Sequence, residues 1–147
     1  MKVTFLRHAE SIFNKYLISE KDCELTEEGK QQAKNISGHY DVVICSTMKR
    51  ACQTLDHSNL HYGRLLFTDL CREKKVDICD FLPYEDETQK ETDEQLEKRI
   101  KSFLYFLKSQ VSPYQTVLVI SHGDFMHTVG KKEQPYPKNT EIQSFEV

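Results

Sequence analysis

Thr116-Val-Leu-Val-Ile120 is an apolar run, and Ser121-His122-Gly123 follows it directly. A second run of this kind, Asp41-Val-Val-Ile-Cys45, precedes Ser46-Thr47. Neither run alternates between apolar and polar residues, which is typical of strands buried on both faces of a parallel sheet. The two runs therefore predict an α/β protein with a mainly parallel sheet that helices cover on both sides.

Helical and strand patterns alternate along the rest of the chain. Thr26 followed by two glutamates predicts a helix that runs to about His39, and the capping box Thr92-Asp-Glu-Gln95 begins a longer helix. The other predicted elements are strands over 2–6, 65–70 and 141–147, helices over 47–56 and 123–129, and a long loop over 72–91. We expect one domain over residues 1–147, with the last strand at an edge of the sheet.

The composition excludes several classes of protein. The chain has 147 residues, a net charge of −3 and 38% hydrophobic residues, which is typical of a soluble globular domain rather than a nucleic-acid binder. No apolar run approaches the ~18 residues of a membrane span. The run Val3–Leu6 stops at Arg7 and is too short for a secretion signal. We expect a cytoplasmic protein with no nucleic-acid or membrane partner.

The cysteines and histidines show no metal-ligand spacing. The five cysteines form no Cys-x-x-Cys pair and are odd in number, which favours reduced thiols over disulfides or a zinc site. His57 and His61 are four residues apart and could share a helix face, but no third ligand accompanies them. We expect neither a metal nor another cofactor.

Three predicted strands are followed by polar, reactive side chains. Arg7-His8 follows the first strand, Ser46 and then Arg50 follow the second, and His122 follows the run at 116–120. Because ligands bind beyond the carboxyl ends of strands in open α/β sheets, these side chains should meet in one crevice. Arginines and helix N-termini suit a phosphate group, and a histidine can act as a nucleophile towards phosphorus.

Four collinear motifs resemble those of the histidine phosphatase superfamily, the phosphoglycerate-mutase-like group (branch 1). Arg7-His8-Ala9-Glu10-Ser11-x-x-Asn14 is similar to its signature R-H-G-E-[ST]-x-x-N, with Ala9 in place of the usual glycine. The other three matches are Leu25-Thr26-x-x-Gly29-x-x-Gln32-Ala33, Ser46-x-x-x-Arg50-Ala51-x-Gln53-Thr54 and Ser121-His122-Gly123.

The resemblance implies a three-layer α/β/α sandwich and a phosphatase that needs no metal. His8 would be the nucleophile that becomes phosphorylated, and nearby cations would keep it neutral. Arg7, Arg50 and a protonated His122 would bind the transferring phosphoryl group. The further substrate contacts would come from Ser11, Asn14 and Gly123.

Glu73 would be the general acid and base of such an enzyme. In Cys71-Arg72-Glu73 it follows the third strand, where most phosphatase members carry leucine-x-Glu. It would protonate the leaving group and later activate water. Cys71 replaces the usual leucine, and the glycine that commonly follows the glutamate is missing. An ordinary surface acid is the alternative interpretation, and the acid would then be Glu10, Asp69 or Asp124.

Four functions stay open at this point. The first is a phosphatase that acts on a phosphorylated small molecule, and the second is a phosphohistidine or phosphoprotein phosphatase, which small members with open sites favour. A phosphoglycerate mutase is disfavoured, because residues 74–91 are short and acidic and offer no paired arginines for a substrate carboxylate. A non-catalytic phospho-ligand binding module is disfavoured because the expected nucleophile and both arginines are present. The sequence identifies neither the substrate nor the oligomeric state.

Overall fold

The computed structural model describes residues 1–18 and 20–147, which are arranged around a five-stranded sheet. The strands are β1 (Lys2–Arg7), β2 (Ser37–Ser46), β3 (Asn59–Thr68), β4 (Val117–Ser121) and β5 (Ile142–Glu146). The helices are α1 (Ile12–Tyr16), α2 (Glu27–Lys34), α3 (Lys49–His57), α4 (Asp93–Gln110) and α5 (Gly123–Val129).

The strand order is β3-β2-β4-β1-β5, and the first four strands are parallel. β5 pairs antiparallel with β1 at one edge, as predicted, and β3 forms the other edge. The pairing of Arg7 with Ser121 aligns the ends of β1 and β4. The residues that follow these two strands are thereby brought side by side.

Two hydrophobic cores, one on each face of the sheet, explain why the sequences of β2 and β4 do not alternate between apolar and polar residues. Val42 and Ile44 face a core that also holds apolar side chains of α4 and α5. Val43 and Cys45, which alternate with them along β2, face a second core shared with α2 and α3. Helices therefore cover both faces of the sheet, and the predicted three-layer α/β/α sandwich is confirmed.

Capping side chains begin two helices where the sequence predicts it. The Thr26 hydroxyl accepts a hydrogen bond from the Gly29 backbone N–H at 2.9 Å, and Thr92 and Gln95 form the expected capping box at α4. A Cβ atom on Gly29 would lie 2.1 Å from the carbonyl oxygen of Glu10. Glycine therefore lets α2 pack directly against the backbone that follows β1.

Several predicted boundaries are wrong at the sheet edge. The helix expected to reach His39 ends at Lys34, and His39 lies in β2. β3 begins at Asn59 rather than at 65, because its backbone pairs with β2 through polar, exposed residues that carry no apolar signal. His61 consequently lies on β3 while His57 ends α3, so they share no helix face. The short helix α1 was not predicted.

The loop expected over residues 72–91 contains one short 3-10 helix, at Ile78–Asp80, and is otherwise made of turns and irregular backbone. Ion pairs hold it in place: Arg72 binds Glu85, and Arg99 of α4 binds Glu91 at 2.8 Å. Among the helices of the described residues, none combines the length and apolar character needed to cross a bilayer. All five cysteines are free thiols.

Candidate active site

A cavity of about 100 Å³ lies at the carboxyl end of the sheet. It contains six of the eight predicted site residues, whereas His122 and Gly123 do not line it. A larger groove of about 510 Å³ between α4 and α5 is lined by none of the eight. The small cavity is lined by Arg7, His8, Ser11, Phe13, Asn14, Arg50, Glu73, Asp77, Cys79, Asp80, Asp124 and Tyr136.

His8 follows β1 and is almost fully buried. Its Nδ1 lies 2.7 Å from the Ala9 carbonyl oxygen, which can only accept, so we assign the ring proton to Nδ1. The lone pair of Nε2 then faces Arg50, whose Nε–H donates to it at 3.3 Å. Burial, and then the charges of Arg50 and Arg7, hold the pKa of His8 well below its usual range. The imidazole is therefore neutral at pH 7, as predicted.

Arg50 lies in the first turn of α3, with its side chain only 3% exposed. Besides His8, its guanidinium contacts the turn at Ile78–Asp80. Nη1 donates to the Cys79 carbonyl oxygen at 2.8 Å, and Nη2 forms an ion pair with the Asp80 carboxylate at 3.0 Å. The cavity thus contains a guanidinium that is already bonded to a carboxylate of the same chain.

Arg7 is positioned by the segment that precedes β5. Its Nη1 donates to the Pro137 carbonyl oxygen at 2.9 Å, and its guanidinium carbon lies 5.6 Å from the centre of the Tyr136 ring. Asn139 in the same segment donates to the His8 carbonyl oxygen at 3.1 Å. The chain between α5 and β5 therefore orients both residues of the Arg7-His8 pair.

His122 packs behind His8, with 5.1 Å between the ring centres, and is fully buried. Its Nε2 lies 2.8 Å from the Ser46 hydroxyl, and its Nδ1 has no hydrogen-bond partner within the part of the chain described. Burial, followed by the charges of Arg50, His8 and Arg7, lowers the pKa of His122 well below its usual range. His122 is therefore neutral in the ligand-free protein, and its protonation beside a bound phosphoryl group stays a prediction.

Glu73 reaches the cavity from the segment that follows β3. Its carboxylate accepts backbone N–H bonds from Asp124 at 3.0 Å and from Phe125 at 2.9 Å, both in the first turn of α5. Burial, and then the charges of Asp124 and Asp80, raise the pKa of Glu73 to about 7. A carboxyl group with this pKa can both donate and accept a proton near neutral pH.

The alternative acids are placed differently. Asp124 lines the cavity, and its carboxylate accepts a hydrogen bond from the Tyr136 hydroxyl at 2.8 Å. Glu10 accepts from the Thr26 hydroxyl, and Asp69 accepts from the Thr47 hydroxyl. Neither Glu10 nor Asp69 is among the residues that line the cavity.

The predicted substrate contacts fall into two groups. Ser11 and Asn14 line the cavity, but they also bond to each other: the Ser11 hydroxyl donates to Asn14 Oδ1 at 2.9 Å, and the pair caps α1. Gly123 is covered by Tyr136, because a Cβ atom on it would lie 2.2 Å from the tyrosine oxygen. The absence of a side chain at 123 makes room for Tyr136, which is a role in packing.

The sequence did not predict five of the residues that line the cavity, which are Phe13, Asp77, Cys79, Asp80 and Tyr136. Tyr136 stands between two prolines, and Asp80 lies in a charged loop; neither context distinguishes a site residue from a surface one. Within residues 1–18 and 20–147, no three histidine, cysteine or acidic side chains are grouped as metal ligands.

Comparisons with known proteins point to the same family that the four sequence motifs resemble. Residues 3–66 match the family model described as histidine phosphatase superfamily (branch 1). The chain is 26% identical over 160 residues to a protein of Hydrogenobacter thermophilus named "Putative phosphoserine phosphatase 2". The alignment covers 87% of this chain and 76% of that protein.

Many solved structures, including a mutase and a phosphatase, resemble nearly the whole chain. A phosphoglycerate mutase from Thermus thermophilus has a TM-score of 0.73 at 17% identity, with 98% of this chain and 92% of that chain covered. A phosphoserine phosphatase from Entamoeba histolytica, in complex with 3-phosphoglyceric acid, has a TM-score of 0.61 at 21% identity, with 99% and 90% covered. At these identities the likeness concerns the fold, and it agrees with the three-layer architecture described above.

Proposed function

We propose that this chain, whose residues 3–66 match the family model of the histidine phosphatase superfamily (branch 1), is a metal-independent phosphatase of that family. It would hydrolyse phosphomonoesters through a phosphohistidine on His8. The observation that carries this proposal is that His8, two arginines and Glu73 line one small cavity. Burial and the charges of Arg7 and Arg50 keep the histidine neutral, and burial raises the pKa of the Glu73 carboxyl group to about 7. This set supplies a nucleophile, fixed positive charge and a proton donor together.

The first chemical step is the transfer of the phosphoryl group to His8. The Nε2 lone pair attacks phosphorus, the bond between phosphorus and the ester oxygen breaks, and Glu73 gives its proton to the leaving alkoxide. Arg7 and Arg50 stabilise the negative charge that spreads over the phosphoryl oxygens. The imidazolium-like phosphohistidine retains its Nδ1 proton through the Ala9 carbonyl oxygen.

The second step is hydrolysis of the phosphohistidine. Glu73 is now ionised and takes a proton from a water molecule, whose oxygen attacks phosphorus. The bond between phosphorus and Nε2 breaks, the neutral imidazole returns, and inorganic phosphate leaves. Glu73 regains its proton in this step, so the cycle closes without a metal or another cofactor.

A phosphorylated small molecule is the substrate class that we propose. The small volume of the cavity supports a compact group around the phosphate, and the names of the relatives include phosphoserine phosphatases. The surroundings give little support to a mutase, since Arg72 and Arg99 are bound to Glu85 and Glu91 and are not free to hold a substrate carboxylate.

A substrate panel with and without EDTA tests this function. Sugar phosphates, phosphoglycerates, nucleotides and phosphopeptides, one of them carrying phosphohistidine, are assayed for released inorganic phosphate. We expect release from at least one small phosphomonoester, with the rate unchanged by EDTA. Preferred hydrolysis of the phosphohistidine peptide would favour the phosphoprotein alternative, isomerisation of phosphoglycerates without phosphate release would favour a mutase, and a strict need for added Mg²⁺ would contradict the mechanism.

We expect Arg50→Lys to lower kcat/KM for an aryl phosphate by about 100-fold or more, or ~2.7 kcal/mol of transition-state stabilisation. An ammonium group makes a single point contact where the planar guanidinium bonds several partners at once. The matched control is Arg64→Lys, an exposed arginine on β3, which should stay within about threefold of the unchanged protein. If both variants kept equal activity, Arg50 would not act on the phosphoryl group.

A further inference from the structure

We propose that Asp80 is a positioning residue that competes with the phosphoryl group for Arg50, and so sets how tightly the cavity binds phosphate. This inference rests on the proposed function and extends it to a residue outside the four motifs. Asp80 is 5% exposed and lines the same cavity as His8 and Arg50. Its contact with Arg50 is the only ion pair that Arg50 makes among the described residues.

All three nitrogens of the Arg50 side chain have partners in the ligand-free protein. Nη2 is bound to the Asp80 carboxylate at 3.0 Å, Nη1 to the Cys79 carbonyl oxygen at 2.8 Å, and Nε to His8 Nε2 at 3.3 Å. The guanidinium fork is therefore bonded to the 78–80 turn on one side and to the histidine on the other. These bonds use three of the five guanidinium N–H groups, so a phosphate can bind only the two that remain unless it displaces one of these partners.

The contact with His8 shows why the arrangement has to change before reaction. The Nε2 lone pair of His8 accepts the Arg50 Nε–H, and the same lone pair would form the bond to phosphorus. The lone pair cannot accept this hydrogen bond and form a bond to phosphorus at the same time. Arg50 must therefore withdraw from His8 before attack, and its ion pair with Asp80 stabilises the arrangement that it has to leave.

Asp80 itself is held by the backbone. Its Oδ2 accepts from the Asp77 N–H at 2.9 Å and from the Val76 N–H at 3.2 Å, which leaves Oδ1 directed at Arg50. The carboxylate is thus fixed in the turn and the arginine is the partner that moves. A bound phosphate would also lie near this negative charge, which further opposes its binding.

Binding of inorganic phosphate to Asp80→Asn tests the proposal without requiring turnover. Since a charge-assisted hydrogen bond contributes ~1.5–3 kcal/mol, removal of the competing charge should tighten phosphate binding by about ten- to a hundredfold. Isothermal titration calorimetry measures this directly. A structural defect alone would weaken binding, so it cannot account for a gain. Equal or weaker binding by a folded Asp80→Asn variant would overturn the proposal.

The matched control is Asp86→Asn, which removes the same charge from the same loop. Asp86 is exposed, does not line the cavity and makes no ion pair with Arg50 among the described residues. We expect its effect on phosphate affinity to stay within about threefold, since exposed charges are screened by solvent. An equal gain in the two variants would mean that only the overall negative charge matters, which would also overturn the proposal.

A second measurement uses the unchanged protein, in case Asp80→Asn does not fold. In a crystal structure with orthovanadate bound, we expect Arg50 Nη2 to lie more than 4.0 Å from Asp80 Oδ1, too far for an ion pair, and Arg50 Nε to have left His8. An intact ion pair beside bound vanadate would contradict the proposal. If Asp80→Asn gains phosphate affinity but neither protein hydrolyses any ester, the proposed function fails and the competition stands. Hydrolysis of an ester without that gain in affinity would support the function and overturn the competition.

Discussion

The His8→Ala variant should lose hydrolysis of an aryl phosphate by more than about 10⁴-fold, or ~5.4 kcal/mol. The reason is that no neighbour can replace its nucleophile: the only other imidazole in contact among the described residues, that of His122, lies behind His8 and outside the cavity lining. Rates of nitrophenol release from p-nitrophenyl phosphate measure the loss directly.

Trapping of the phosphoenzyme distinguishes a nucleophile from a residue that only binds. Phosphohistidine survives an alkaline denaturing quench and is lost in acid, so the unchanged protein should keep label from a ³²P-phosphomonoester after the alkaline quench, and His8→Ala should not. The control is His61→Ala, an exposed histidine of β3, which should label normally. Equal labelling of His8→Ala and the unchanged protein would mean that phosphorus is transferred elsewhere or not at all.

Glu73→Gln should slow the hydrolysis of alkyl phosphates by about 10²–10⁴-fold, because their alkoxide leaving groups need a proton. Nitrophenol leaves without that help, so its release in the first turnover should be nearly unchanged. Later turnovers should slow, since Glu73 also activates water. Stopped-flow measurements should therefore show a burst of nitrophenol followed by slow steady release.

The pH dependence of kcat/KM provides a second test of Glu73 as the general acid. With a pKa of about 7, it is protonated below that pH and ionised above it. In the unchanged protein, kcat/KM for an alkyl phosphate should thus fall as the pH rises above about 7, and Glu73→Gln should lack this decline. His8, whose pKa lies well below its usual range, stays neutral across this interval and does not contribute to the decline.

Asp124→Asn is the matched control for Glu73→Gln. It removes a second cavity carboxylate whose negative charge raises the pKa of Glu73. If Glu73 is the acid, the variant should keep most alkyl-phosphate activity and show its decline at lower pH, because Glu73 ionises more easily without that charge. An unchanged alkyl-phosphate rate in Glu73→Gln together with a large loss in Asp124→Asn would assign the acid to Asp124.

The elements that could be predicted are those whose signal is local. The buried strands around Val43 and Val119 are apolar on both faces, and Thr26 and Thr92 cap helices with their own side chains. The convergence of the residues after β1, β2 and β4 follows from parallel pairing alone. Such features are determined by residues close together in the sequence and do not depend on how distant loops fold.

The features that could not be predicted depend on tertiary packing. The polar half of β3 is a strand because its backbone pairs with β2. The side chains of that segment show no pattern that predicts this pairing. Tyr136 and Asp80 enter the cavity because long connections fold back over the strand ends. The protonation of His122 is set by complete burial next to Arg50, and burial of a single histidine has no signature in its neighbours along the chain.

The position of β1 has a consequence for the order in which the protein can fold during synthesis. β1 lies between β4 and β5, so during synthesis it waits for residues 117–121 and 142–146 before either of its edges is paired. Its neighbour β4 also joins the early β2–β3 pair to the rest of the sheet. Until residues 137–139 emerge, Arg7 lacks the Pro137 carbonyl and His8 lacks Asn139. During synthesis, His8 thus emerges well before the segments that complete its surroundings.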